Sequence, residues 1–472
     1  MLGEPEATSF HSSDDARLSA RAAAPHPEHG ARARVVRLLA TLMALFAVTG
    51  CGRLPTDAGG ERAHARGVTR YSTDATDAAG GRNAIAVLTQ CNEGDSVAIA
   101  NNSQVLDAIP ELSLVLLKTP PGQTTDTFVD QLRGDGRVVH SEPDEMVQTA
   151  ETRQSTVAFS EATRTWSDVY DQTALARVGA AAAQAYTQGG GALVAIVDTG
   201  IDLDHPALAD ALALPGIELG GGTDPGDDRP EGVDTNHDGI VDGALGHGTH
   251  VAGIVHALAP GARLLPVRVL DSDGVGGAFR VAKGIVAAVE RGAVVINLSL
   301  GLPASSPSIQ AALDMAHAAG VVVVAAAGND DLSALDFPAS YPSVLAVAGT
   351  DPDDRKADFS DFGSGVALAA PAVGILSTYW DGTYARWSGT SMASPFVAGT
   401  AALLYGSLGP AAPASEALVE QLILAGADPL GSIDPVFGGL LGAGRLNAAN
   451  AVARSEQASN PGDSEGTREI GH

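Results

Sequence analysis

From about residue 158 onward, short uninterrupted apolar runs at 193–197, 264–270, 294–300 and 321–327 alternate with helical periodicity, clearest at 279–290 and 309–319. A strand with one wet face alternates apolar and polar residues, whereas a strand apolar at every position must be covered on both faces. Such strands in alternation with helices imply an α/β fold of three layers, with a mainly parallel central sheet between helices. The chain has 472 residues, 45% of them apolar and only 18% charged, which excludes wholesale disorder and leaves room for a second domain. Its formal net charge is −28. Most of the excess falls after residue 150, and phosphate binding needs a basic surface, so nucleic acid is excluded as the main partner.

The N-terminal part has a different texture. Arg32, Arg34 and Arg37 precede an apolar run at 38–48 that ends in Val48-Thr49-Gly50-Cys51. A positive region, a short apolar region and small residues before a cut form a secretory signal at 31–51. The run falls well short of the roughly 20 residues that span a bilayer. Its ending resembles the bacterial lipoprotein box, which implies a lipid on Cys51 and attachment to a membrane of a bacterial envelope. An ordinary signal peptide, giving a fully secreted protein, is the other reading. Cys91 is the only other cysteine, so no disulfide framework is expected. Residues 52–81, with Gly59-Gly60 and Gly80-Gly81, read as a linker, and 456–472 as a disordered tail. Between them, 82–150 reads as a compact α+β unit, with strands at 85–88, 112–117 and 138–147 and a helix at 124–132.

Four short segments carry chemistry. Val194-Ala-Ile-Val-Asp198-Thr199-Gly200 places a carboxylate at the end of a buried strand, where ligands bind in such sheets. Alone, Asp-Thr-Gly fits an aspartic protease lobe or a plain turn equally well. Gly246-His247-Gly248-Thr249-His250 opens a helix among small residues, and alone fits a structural or metal-binding His. Ala326-Ala327-Gly328-Asn329 brings a side-chain amide to a strand end, able to donate to an oxyanion or simply to turn the chain. Ser388-Gly389-Thr390-Ser391-Met392-Ala393-Ser394-Pro395 places Ser391 at a helix N-terminus, where backbone N–H groups favour developing negative charge, with Pro395 expected in the first turn.

Taken together and in this order, the segments resemble the subtilisin-like serine proteases over roughly 166–453. The aspartic protease reading fails because no second Asp-Thr/Ser-Gly occurs in a matching context. The resemblance implies a serine-type endopeptidase with no cofactor for its chemistry and polypeptides as partners. It also implies the roles: His247 as the base for Ser391, Asp198 orienting His247, and Asn329 stabilising the oxyanion. The catalytic domain is expected over 158–455. The substrate would pair with Gly274-Val275-Gly276 and with Ser299-Leu300-Gly301. Its pocket would be lined by Leu300, Gly301, Ala326, Ala327, Gly328, Asp336 and Phe337. Two readings of Asp336 are open: a pocket carboxylate favouring Lys or Arg before the scissile bond, or a loop residue facing solvent.

Residues 82–150 resemble the family's propeptide-inhibitor domain, most visibly in Phe128-Val-Asp-Gln-Leu132 and Ser141-Glu-Pro-Asp144. That implies a zymogen with its own prodomain as intramolecular inhibitor, cut between Thr149 and Trp166. A monomer is expected. One segment suggests a structural calcium. Asp234, Asn236, Asp238, the Ile240 carbonyl and Asp242 set hard oxygens at alternate positions around Gly239, as in the first part of an EF-hand loop. Leu245 stands where the closing Glu belongs, so only a simpler loop is expected. A catalytically silent scaffold and a protease of narrow specificity remain as alternatives.

Overall fold

The computed structural model describes residues 83–154, 158–220, 224–408 and 415–459. The signal region with Cys51, the linker and the end of the tail lie outside the described residues.

The main sheet has seven strands, in the order Leu368–Pro371, Leu345–Thr350, Val322–Ala326, Val295–Leu298, Leu193–Asp198, Arg263–Arg268 and Ile217–Glu218. Every pairing along it is parallel. The apolar runs work on both faces, as their continuity requires. Val194 and Ile196 face one core with Val251, Val255 and Phe396, from the helices His247–Leu258 and Thr390–Leu408. Ala195 and Val197 face a second core with Phe279, Ile285 and Ile309, from Ala278–Glu290 and Pro307–Ala318. Strand order reverses at Leu193–Asp198, since the sheet's next two strands in the chain lie on one side of it and its four later strands on the other. A reversal of this kind opens a crevice at the strand's C-terminal end, where Asp198 sits.

The N-terminal unit is an antiparallel sheet in the order Val105–Ile109, Leu114–Leu117, Ala84–Leu88 and Val138–Pro143. The helices Gly94–Ala100 and Thr125–Arg133 supply its own small core through Val97, Phe128 and Leu132. Its other face brings Ile85, Ile109 and Leu114 into the core around Phe279. Each is fully buried, and burial at about 1.5–3 kcal/mol per such side chain makes this a firmly docked interface.

Three details differ from the sequence reading. The run at 138–147 is two strands, because the chain leaves the sheet at Pro143 and Met146–Gln148 then pairs antiparallel with Val275–Gly277. Pro395 lies in the second turn of its helix rather than the first. Its missing N–H leaves the Ser391 carbonyl free, and the Ser299 hydroxyl donates to that oxygen at 2.9 Å. The last helix, Ala448–Ser459, runs into the segment read as tail.

Candidate active site

Asp198 ends its strand fully buried, and His247 begins the helix His247–Leu258 facing it. His247 Nδ1 lies 2.7 Å from Asp198 Oδ1, an oxygen that also accepts the Thr199 backbone N–H. Trp387 stands edge-on to the imidazole at 5.2 Å between ring centres. His250 is a different kind of histidine. Its Nε2 lies 3.1 Å from the carbonyls of both Ile375 and Ala385, and burial lowers its pKa to about 3, so it is neutral and structural.

Asn329 is oriented by the helix that carries Ser391. The backbone N–H and the hydroxyl of Thr390 both donate to Asn329 Oδ1, at 2.9 and 2.8 Å, which fixes the amide and leaves Nδ2 as its donor to the site. What these groups converge on is Glu151. Ser391 Oγ donates to Glu151 Oε2 at 2.7 Å, and His247 Nε2 is 3.3 Å from the same oxygen. Asn329 Nδ2 donates to Glu151 Oε1 at 3.0 Å. Gly389 makes the approach possible, since a Cβ there would collide with the Glu151 carboxylate. Burial alone would lower the His247 pKa, but Asp198 and Glu151 outweigh it and raise it to about 10. Burial would likewise raise that of Glu151, yet its bonds to His247 and Ser391 hold it low, so the site contains a charged pair.

Glu151 reaches this position by strand pairing. Gln148 exchanges both backbone hydrogen bonds with Gly301, and the Thr149 N–H donates to the Gly274 carbonyl. A helical turn, Ala150–Arg153, then follows. The segments expected to hold an extended substrate, Gly274-Val275-Gly276 and Gly301, are thus the ones that hold the chain itself. The other expected lining residues divide. Ala326, Ala327 and Leu300 are core residues behind the cleft, and Ser299 directs its hydroxyl to Ser391 O and Ser394 Oγ. Phe337 packs on Tyr341 with ring centres 4.8 Å apart.

Asp336, at 8% exposure, does not face solvent. A Cβ on Gly301 or on Gly328 would press against its carboxylate. Asp330 and Asp361 join it, and among the described residues this is the only acidic group with its ligand oxygens all within 4.8 Å. The acidic loop, by contrast, holds its carboxylates on backbone. Asp242 accepts the N–H groups of Glu231, Gly232 and Val233, Asp238 accepts that of Ile240, and Asp234 Oδ2 accepts that of Gly239.

Sequence reasoning missed Glu151, Arg153, Asp361 and Trp387. Asp361 lies in Phe359-Ser-Asp-Phe-Gly363, where nothing in the local pattern marks it as part of a pocket.

The profile of the subtilase family matches residues 189–456. Thermitase of Thermoactinomyces vulgaris is 42% identical over 275 residues, which cover 56% of this chain and 90% of thermitase. Subtilisin BL of Lederbergia lenta is 42% identical over 225 residues, covering 46% of this chain and 77% of that protein. Among solved structures, fervidolysin from Fervidobacterium pennivorans, a keratinolytic enzyme related to subtilisin, matches with a TM-score of 0.63 at 25% identity, over 79% of this chain and 61% of that one. A main sheet with its strand reversal at Asp198, and a family match that spans the segments of Asp198, His247, Asn329 and Ser391, agree: the chain belongs to the subtilase family and is a serine-type endopeptidase.

Proposed function

We propose that this endopeptidase is exported, works through Asp198, His247 and Ser391, and is made as a zymogen whose N-terminal unit inhibits it. His247 takes the Ser391 proton as Oγ attacks the peptide carbonyl, then returns it to the leaving amine. Asp198 holds the imidazole with its proton on Nδ1 and stabilises the imidazolium. Asn329 Nδ2 and the Ser391 backbone N–H receive the oxyanion. Water, with His247 again as base, releases the acyl group from Ser391.

The convergence of Ser391 Oγ, His247 Nε2 and Asn329 Nδ2 on one carboxylate carries this reading. These are the groups that would meet a tetrahedral intermediate, and Glu151 sets two negative oxygens among them. A carboxylate resists attack by a hydroxyl, so the group presented to Ser391 cannot acylate it. Export, with or without a lipid on Cys51, rests on the basic and apolar segment before Cys51.

A structural calcium in the acidic loop is part of the same proposal. Asp234 Oδ1 is buried without a hydrogen-bond partner, and the neighbouring donors are hard oxygens of the kind calcium prefers. It would brace the loop and take no part in the chemistry.

Labelling with a serine-directed fluorophosphonate, followed by peptide mass mapping, tests the assignment. Label is expected on Ser391 alone, with Ser391→Ala unlabelled and inactive while its circular dichroism spectrum stays that of the folded chain. Undiminished peptide hydrolysis by Ser391→Ala would sink it.

A further inference from the structure

We propose that the pocket beside Ser391 is a cation-selective subsite, in which Asp336, supported by Asp361 and Asp330, takes the guanidinium or ammonium of a substrate Arg or Lys. The inference rests on the endopeptidase reading and assigns that site its substrate class: chains with a basic residue before the scissile bond.

The pocket already holds such a group. The Arg153 guanidinium is inserted with its side chain 13% exposed, Nη1 donating to Asp336 Oδ1 at 3.2 Å while Nη2 pairs with Oδ2. This two-point engagement is the geometry a planar guanidinium makes with a carboxylate. Asp330 Oδ2 lies 3.8 Å from Nη1. Asp361 completes the set from the far wall, its Oδ1 fixed by the N–H groups of Asp330 and Leu332.

The walls leave little for another class of side chain. Gly301 and Gly328 have no Cβ, and the Asp336 carboxylate fills that space on both, with Asp361 also against Gly328. Buried aspartates this close repel one another, and burial and its neighbours push the Asp361 pKa up to about 7. An aromatic or aliphatic side chain entering here would strip water from these carboxylates and offer nothing in return. A cation relieves the repulsion. The position fits the reaction too, since Gly328 adjoins Asn329 and Gly301 lies in the stretch after Ser299, whose hydroxyl holds the Ser391 carbonyl.

Arg153 is two residues beyond Glu151, in a helical turn rather than an extended strand. It fills the pocket without presenting a peptide bond to Ser391, so the inhibitory segment mimics the substrate's side chain and withholds its scissile bond.

The test uses the full-length chain, matured by its own activity and titrated by fluorophosphonate label on Ser391. It is given fluorogenic peptides that differ only in ending with Arg, Lys, Phe, Leu or Ala. A buried charge pair of this kind predicts kcat/KM for Arg about 30-fold or more above that for Phe. Asp336→Asn keeps the shape and removes the charge, and should shrink the Arg-to-Phe ratio by about tenfold or more. Asp361→Asn, a second variant on a separate loop, should shrink it by less. A labelled wild-type enzyme that prefers Phe or Leu overturns the inference alone, as does a ratio untouched in a folded Asp336→Asn. Absence of label on Ser391 overturns the endopeptidase mechanism itself, and the subsite with it.

Discussion

One carboxylate engages three groups whose convergence defines the site, and Glu151 does so from a segment that is not part of the family-matched region. Charge-assisted hydrogen bonds in a buried setting contribute about 1.5–3 kcal/mol each. Removing the carboxylate should therefore shift the chain from closed to open by at least tenfold. Glu151→Ala in the full-length chain is expected to take up fluorophosphonate on Ser391 about tenfold faster than wild type, with Glu151→Gln in between. Equal labelling rates in all three would mean that Glu151 guards nothing. Asp198, His247, Asn329 and Ser391 were legible because each ends a strand or opens a helix inside a motif whose residue types suit one chemistry. Glu151 was not. Ala150-Glu-Thr-Arg153 has no pattern of its own, and its place is set by pairing between Gln148 and residues more than 120 positions away.

Elements dock here through their ends as well as their faces. Glu142 Oε1 accepts from the Ser308 N–H at 2.9 Å at the start of Pro307–Ala318, and Asp144 Oδ1 accepts from the Phe279 N–H at 2.9 Å at the start of Ala278–Glu290. Two carboxylates of Ser141-Glu-Pro-Asp144 thus cap two helices of the other unit, where the helix dipole favours negative charge. The motif was visible in the sequence; its partners were not, because capping across units leaves no local spacing. The major strands were legible from their apolar runs. Gly94–Ala100 and Val105–Ile109 were missed because the first is one short stretch rich in small residues, and the second carries Asp107 at its centre, paired with Lys283 at 2.6 Å. The acidic loop belongs to this scale as well. Calcium in excess should raise the melting temperature, by several degrees if binding contributes about 2–3 kcal/mol, and Asp238→Ala should remove the rise. A melting temperature indifferent to calcium and chelator would exclude the ion.

Across the whole molecule, closure is linked to protonation through Asp144 and His247, with Glu142, raised by burial, acting in the same sense as Asp144. Burial pushes the Asp144 carboxyl up to about 6 from an ordinary 3.8, so the docked unit holds a proton in that interval that the undocked one releases. The share of docking that Asp144 contributes is therefore greatest below that interval and falls as pH rises through it. His247 acts in the same direction at higher pH. Its imidazolium, sustained against burial by Asp198 and Glu151, persists to about 10 against an ordinary 6.5. The stabilisation it adds is complete below 6.5 and is lost as pH climbs through 10, less the share that Asp198 retains after undocking. Glu151, held below its ordinary 4.5, stays ionised in the docked chain; it opposes the Asp144 slope only near and below 4.5, where the undocked carboxyl takes up a proton, and leaves the His247 slope unchanged. Linkage then requires the strand Met146–Gln148 to loosen from the cleft as pH rises above neutral. Hydrogen–deuterium exchange on the uncleavable Ser391→Ala chain measures this at the Gln148, Thr149 and Gly301 amides, which pair the strand to the cleft. After correction for intrinsic rates, protection at these three amides should fall between pH 7 and pH 9.5 while that of the main sheet holds. Protection that stays level or rises would mean that the charged pair at Glu151 and His247 does not govern closure.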